Sequence, residues 1–490
     1  MLNYFKKISK KNTCAINSVC SIHPSVHNLY EILMDEVRET CFYLVKLKEF
    51  NISNSLIENQ CIEALSVFLI NTNFNKKNYL NYLGKIYNSK KEVKEKYLKF
   101  CQNYQYPSET INSNFEMDDK TTISKLIEHA QNNMAKKEKV KDKSKEYLFS
   151  LITIFSKLAC VDLVKIKKFE AQYTEYDFEI IRFFALTNGY SIRNEKIKRR
   201  ITDFSNISYK IQEKLNDILE KRYGKKEKTT INTNILNGNS ILITGDDLNE
   251  LENLLKQIEE KKIENINIYT NAQLITAHSY PYFKHNKHIK GHIESDNAEY
   301  DFSNFKGAIL ITQNFVQKID NLYRGEIFSN KIISFEKVVD IIDNDYSKLI
   351  ETSLNLNETQ TNTSYKENIK LENDFKKISS LIENYKNDEI IVIIGNSNNF
   401  EKIDKIEDKS VLNFSTPSQN DILYNSLKLL EEKNIKISLF IYQCTLNNLH
   451  ILLNLLNHKI DFYLSDCSNF LVNPHVIESL KNDFNIQILT

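Results

Sequence analysis

Residues 239–283 read NSILITGDDLNELENLLKQIEEKKIENINIYTNAQLITAHSYPYF. The apolar run Ile241-Leu242-Ile243 stops at Gly245, and Asp246 and Asp247 follow it. Leu248, Leu251, Leu254, Leu255 and Ile258 then recur at the spacing of one helical face. Beyond them Ile266 and Ile268 alternate around Asn267, the pattern of a second strand. Strand, tight turn, helix and strand make a βαβ unit, which implies a parallel sheet. Open sheets of this kind take ligands at the carboxyl ends of their strands. Asp246 and Gln273 therefore stand where chemistry is expected.

Working outward, residues 308–315 (AILITQNF) predict a further strand of the same sheet. A second set of β-branched runs at 390–394, 411–414, 437–442, 461–464 and 486–489 alternates with helical patterns, of which Leu446, Leu449, Leu452, Leu453 and Leu456 form the clearest. That is a second doubly wound sheet. Toward the N-terminus the pattern is helical. Leu29, Ile32, Leu33, Val37, Cys41, Leu44 and Val45 make one stripe, and Ile57, Ile62, Leu65 and Phe68 continue it in a second segment. Further helices are expected over 123–139, 146–168, 176–187 and 207–223. Asn188-Gly189 suits a helix end at which glycine accepts a left-handed backbone. The fold class is therefore multidomain α and α/β, a helical bundle followed by two Rossmann-like doubly wound parallel sheets. The expected divisions are a helical domain 1–228, α/β domains 229–353 and 371–490, and a polar linker 354–370.

The 490 residues are enough for two or three cores. Lys plus Arg total 65 and Asp plus Glu 64, a net charge of +1, so no global field favours nucleic acid or an anionic membrane. The basic run 136–146 is interleaved with acids, as on a solvated helix face. No uninterrupted apolar stretch reaches the ~18 residues of a membrane span. The basic N-terminus lacks a signal-peptide core. Eight cysteines without dense spacing point to reduced thiols and the cytoplasm. Cys61, Cys101 and Cys160 stand alone and read as core residues. His285, His288 and His292, with His278 nearby, have spacing that suits a metal, but lysines alternate with them and no acid or cysteine is adjacent. They read as an exposed loop. No Ser-His-Asp set, H-E-x-x-H, paired C-x-x-C or glycine-rich phosphate loop is present.

The order I-L-I-T-G-D-D-L, I-Y-T-N-A-Q-L, A-H-S-Y-P resembles the second domain of the hybrid-cluster proteins, the hydroxylamine-reductase family, which usually read G-H-D-L and Y-T-H-G-E-M-L there. The resemblance continues through A-I-L-I-T-Q-N-F, L-Y-R-G-E-I-F-S, I-I-V-I-I-G-N-S-N and L-F-I-Y-Q-C-T to L-S-D-C-S-N-F-L-V-N-P-H-V-I near the end. It implies the same helical and α/β domains. It also implies ligand positions for two iron–sulfur clusters, and most of them are substituted. Of the four N-terminal cysteines the family uses, Cys14 and Cys20 remain, while Asn3 and Lys6 hold the other places. The family's cluster histidine is Asp246, its first glutamate Gln273, and its cysteines Phe315, Ser397, and Ser415 and Gln419. Its last glutamate is Gln443, and its pocket lysine is Thr445.

Cys14, Cys20 and Asp246 are thus the remnant metal-ligand positions. Amides, hydroxyls and a phenyl ring lack the soft anionic donors that hold iron. The expectation is a protein without cofactor, a non-catalytic scaffold or regulatory paralogue acting through an unknown protein partner. The alternative is a retained oxidoreductase. It would reduce hydroxylamine or related nitrogen oxides at an iron–sulfur–oxo cluster held by Asp246, Cys444 and Cys467, with a reductase partner as electron donor. Binding of a small anion at the helix after Gly245 is opposed by the acids there.

Overall fold

The computed structural model describes residues 24–67, 76–111, 115–117, 121–137, 143–189, 191–294, 298–312, 326–330, 338–356, 363–364, 368–371, 375–394, 405–406, 409–414, 419–442, 446–465 and 474–489. The chain divides into two compact units, Met1–Ile211 with Asn473–Asp483, and Gln212–Val472 with Phe484–Thr490.

The first unit is helical. Its elements are α1 (Pro24–Glu49), α2 (Ser55–Val67), α3 (Lys76–Asn103), α4 (Ile123–Lys137), α5 (Lys143–Phe169) and α6 (Asp177–Ala185), and α7 (Asn194–Tyr223) begins in it. The stripe read from sequence is the buried face of α1, with Leu33, Val37, Cys41 and Leu44 all in the core. Opposite it α3, a helix not anticipated from sequence, contributes Leu83, Ile86, Val93 and Tyr97. Ion pairs cross this contact, Lys90 Nζ to Glu36 Oε2 at 2.8 Å and Lys94 Nζ to Glu39 Oε1 at 3.2 Å. Burial pushes the Glu36 carboxyl up to about 7, with the Lys90 charge opposing it.

α5 is long and apolar enough to cross a bilayer, yet 72% of its most apolar window is buried, as in a core helix. Cys41, Cys61, Cys101 and Cys160 are free and buried, and burial pushes the Cys41 and Cys160 thiols up, which makes them poor nucleophiles. The sequence reading of the last three as core residues holds. α6 ends at Ala185 and a 3-10 turn continues it to Asn188, but Gly189 has φ −89° and is not left-handed. A Cβ there would lie 2.4 Å from Cδ1 of Ile192, so a larger residue would have to displace the end of that side chain.

In the second unit come β1 (Thr229–Ile231), β2 (Asn234–Ile235), β3 (Asn239–Thr244), α8 (Leu248–Glu260), β4 (Ile266–Asn271), a 3-10 turn Ala272–Ser279, α9 (Pro281–Lys284), β5 (Ile289–His292), α10 (Ala298–Asn304), β6 (Ala308–Ile311), β7 (Ile327–Asn330), β8 (Val339–Ile341) and α11 (Ser347–Asn355). Next are β9 (Thr363–Ser364), β10 (Ile369–Leu371), α12 (Phe375–Glu383), β11 (Glu389–Ile394), β12 (Lys405–Ile406), β13 (Lys409–Phe414), α13 (Asn420–Glu432), β14 (Lys436–Tyr442), α14 (Leu446–Asn454), β15 (Ile460–Ser465), α15 (Pro474–Phe484) and β16 (Gln487–Leu489).

The first sheet runs β5-β4-β3-β6-β7-β8, parallel throughout. Counted along the chain this is the order of a dinucleotide-fold sheet, whose switch point falls between β3 and β6. The second runs β12-β13-β11-β14-β15-β16, parallel except for the β12 edge ribbon, which is the flavodoxin-like order. The expected fold class is the observed one. Central strands such as β3 and β11 are apolar on both faces because helices cover both. Leu251, Leu254, Leu255 and Ile258 of α8 are fully buried, as their spacing predicts. Short antiparallel pairings join β1 to β10 and β2 to β9, so strand pairing occurs within and next to the polar stretch 354–370.

Candidate functional site

Three parallel strands of the first sheet carry threonine at their carboxyl ends. The repeated endings are I-L-I-T-G (241–245), N-I-Y-T-N (267–271) and I-L-I-T-Q (309–313). Sheet register brings them to one edge, with Thr244 opposite Asn271 on one side and Ile311 on the other. At the switch point the Thr244 carbonyl accepts from the Thr312 amide at 2.9 Å and from its hydroxyl at 2.8 Å. The Thr244 hydroxyl donates to Asn271 Oδ1 at 2.6 Å, and Asn271 Nδ2 donates to the Ile293 carbonyl at 2.6 Å. These groups are buried, so each bond replaces one with water.

Gly245 makes the turn out of β3 with φ +116°, a conformation that suits glycine. Asp247 caps α8, accepting from the amides of Asn249 at 3.0 Å and Glu250 at 3.4 Å. The helix donors that would greet an anion are thus taken by a carboxylate of the chain itself. Asp246, half-buried, lies between these two residues. The Leu274 amide donates to the Gly245 carbonyl at 3.1 Å, which draws the next turn, with half-buried Gln273, against the first. Asp246 and Gln273 therefore do sit on adjacent turns of one edge. Ala272, just before Gln273, has φ +56°, so a Cβ-bearing residue is held in the left-handed region.

The histidines do not form the exposed loop expected from sequence. His292 ends β5 with no exposure, His288 and His278 are buried, and only His285 is open to solvent. Lys287 and His285 point outward, while His278, His288 and His292 face in. Thr270 Oγ1 lies 2.8 Å from His278 Nε2 and 2.9 Å from His292 Nδ1. His292 Nε2 lies 3.2 Å from Glu294 Oε2. Burial pushes the His278 imidazole down to about 3, and neighbouring His292 adds to the effect. The two rings meet at a hydroxyl rather than at a point where an ion would sit. On α8, Glu252 is buried. Burial raises its carboxyl, but hydrogen bonds from Arg222, Lys256 and Tyr223 outweigh that and hold it below the usual range.

A match to the Prismane/CO dehydrogenase family covers residues 7–445. The chain belongs to that family. It is also similar to a hydroxylamine reductase of Syntrophobacter fumaroxidans (strain DSM 10017 / MPOB), at 38% identity over 136 residues. That segment is 27% of this chain and spans about a quarter (24%) of the relative's length. The hybrid-cluster resemblance read from residues 239–283 and beyond is thereby supported at the level of the family.

Set against an iron–sulfur group, the ligand positions that the resemblance marks among the described residues of this edge hold one carboxylate, Asp246, and one carboxamide, Gln273. The described cysteines all lie in the helical unit. Among the described residues no three His, Cys, Asp or Glu side chains are placed to hold a metal ion. The two described positions by themselves do not supply the soft anionic sulfur such a group takes at its irons. Cys14, Cys20, Phe315, Ser397, Ser415, Gln443, Cys444, Thr445 and Cys467 lie outside the described residues. Gln419 is described and buried, immediately before α13.

Sequence reasoning missed Thr270, Asn271, Glu294 and Thr312, and it singled out His292 but put it in an exposed loop. The signal for the threonines was present, in the repeated T-G, T-N and T-Q strand endings. For the burial of His292 no local signal exists, because its partner Thr270 is supplied by β4, and Glu294 in turn meets His292.

Proposed function

We propose that this chain is a hybrid-cluster family member that no longer carries its iron–sulfur clusters and acts as a non-catalytic scaffold or regulatory paralogue, through a protein partner. The observation that carries the reading is the edge at Asp246 and Gln273. A carboxylate and an amide stand where the resemblance puts a histidine and a glutamate, and the surrounding strand ends are bonded to one another. An amide cannot supply the negative charge that offsets iron. The free, buried cysteines support a reducing compartment, the cytoplasm.

The hydroxylamine reductase relative favours a second reading, a retained oxidoreductase acting on hydroxylamine or related nitrogen oxides through an altered ligand set. One experiment separates the two. The full chain is purified without oxygen and assayed for iron, acid-labile sulfide and hydroxylamine turnover. Less than about one iron per chain and no turnover is the expected result. Several irons per chain with sulfide and turnover would establish the second reading and end the first.

A further inference from the structure

We infer that the exposed start of α7 is a docking surface for an acidic segment of a protein partner, with Arg193, Arg199 and Arg200 as the side chains that grip its carboxylates. The chain has 58 lysines but only seven arginines, Arg38, Arg182, Arg193, Arg199, Arg200, Arg222 and Arg324. Three of the seven fall within residues 193–200. Where a cation has only to be charged and solvated, this chain uses lysine. Arginine differs by its planar fork, which takes a carboxylate through two parallel bonds. Arg38 pairs with Asp35, Arg182 with Glu179 and Arg222 with Glu252. Each described arginine outside the group therefore holds a carboxylate of the chain itself, and Arg324 lies outside the described residues. Arg193, Arg199 and Arg200 are exposed, and among the described residues their side chains meet no ion-pair or hydrogen-bond partner.

Helical spacing gathers the group. α7 buries Ile197, Ile201 and Phe204, while exposed Lys196, Arg199 and Arg200 lie three and four positions apart, and Arg193 precedes the first turn. Asn194 Nδ2 donates to Ser144 Oγ at 3.2 Å, which sets exposed Lys143 of α5 beside them. Lys198, by contrast, is answered from within the unit, by Asp483 at 2.9 Å. Glu195 and Asp203 each stand four positions from Arg199, yet neither forms an ion pair with it. The arrangement costs the helix stability. Arg193 and Lys196 stand at the positive end of its dipole, and Lys196 and Arg200 repel one another at i,i+4. A partner's negative charge would offset both effects. The patch is small, about 10 Å along the helix, which reaches about three phosphates of one nucleic-acid strand where duplex binders make roughly six to ten contacts. Without these five cations the chain, at net +1, would be acidic, so nothing beyond the patch favours a polyanion. A segment with three or four carboxylates matches it in length and in chemistry. The inference takes its partner from the scaffold reading above, but the surface itself does not depend on whether the chain binds iron.

The test is fluorescence anisotropy of a labelled octaglutamate peptide, and in parallel of an oligothymidylate of equal charge, titrated with the full chain at low salt. One variant combines Arg193→Gln, Arg199→Gln and Arg200→Gln, and a second combines Arg193→Lys, Arg199→Lys and Arg200→Lys. The parent chain should bind the peptide more tightly than the oligonucleotide. The glutamine variant should lose about 10–100-fold in affinity, and the lysine variant about 3–10-fold because it keeps charge without the fork. The urea midpoint of the glutamine variant should not fall, since cations that oppose the helix dipole have been removed. A lower midpoint would show that the arginines serve the fold, and would overturn the proposal. So would a lysine variant that binds like the parent, an oligonucleotide that binds more tightly than the peptide, or a parent chain that ignores the peptide. Iron analysis of the same sample keeps the two readings apart. An iron-free chain that ignores the peptide ends this inference alone, and an iron-loaded chain that binds it ends the scaffold reading alone.

Discussion

Acid should open the candidate site through His278 before it unfolds the chain. In the unfolded chain this imidazole titrates near its ordinary value of about 6.5. In the folded chain burial holds it at about 3, so the ring is neutral there at any pH above that. A folded value below the unfolded one means that stability is complete above pH 6.5 and drains away as pH falls toward 3. Each pH unit in that window removes about 1.4 kcal/mol, so the step from pH 7 to pH 5 costs about 2 kcal/mol, or roughly a 30-fold rise in the opening equilibrium.

Hydrogen exchange read by mass spectrometry locates the effect. After correction for intrinsic rates, peptides within 266–293 should lose that protection between pH 7 and pH 5, whereas peptides of β14 (436–442) should not. His278→Gln keeps a polar group near Thr270 but has nothing to protonate, and its 266–293 peptides should exchange alike at both pH values. Unchanged protection in the parent chain, or an equal loss in His278→Gln, would refute the argument.

Ala272→Gly relieves a left-handed Cβ at φ +56° and should stabilise the second unit by about 1 kcal/mol, measured as a shift of its urea midpoint. The family sequence quoted above has glycine at this place, so the variant restores the residue the backbone asks for. Gly291→Ala does the reverse, because its Cβ would lie 2.2 Å from the Asn232 carbonyl oxygen. A loss of about 1–3 kcal/mol by the same assay is expected, with peptides 289–293 exchanging fastest. In the helical unit, burial pushes the Lys157 ammonium down to about 7, with the Glu31 charge opposing and Arg38 adding to the fall. The native state therefore loses stability as pH falls from above 10 toward 7, and Lys157→Met should gain about 2 kcal/mol or more at pH 7 but little at pH 10.

Elements were legible wherever their pattern is local. β3, α8, β4, β11 and β13 to β16 appear within a residue or two of their expected bounds, because strand alternation and helical spacing are written in consecutive residues. α3 escaped because its buried Tyr79, Tyr87 and Tyr97 are interleaved with lysines, which hides the apolar face. α7 begins at Asn194 rather than at residue 207, since its first turns carry Lys196, Lys198, Arg199 and Arg200 around only two fully buried isoleucines, Ile197 and Ile201. The histidine segment failed for the same reason. Lysine interleaved with histidine looks solvated along the chain, and a regular strand would put Lys290 and His292 on one face. Yet the β4–β5 register skips Lys290, with Ile268 opposite Ile289 and Tyr269 opposite Gly291, so the two residues are freed from that rule.

Composition, periodicity and the strand-end residues by themselves determined that this chain is helical first and doubly wound after, and placed Asp246 and Gln273 at one sheet edge. They did so because those features depend on residues a few positions apart. Strand order, the meeting of Thr244 with Thr312 across 68 positions, and the burial of His292 against Thr270 across 22 were decided only by the tertiary structure. Parallel register selects those partners, and no stretch of sequence shorter than the whole sheet contains it.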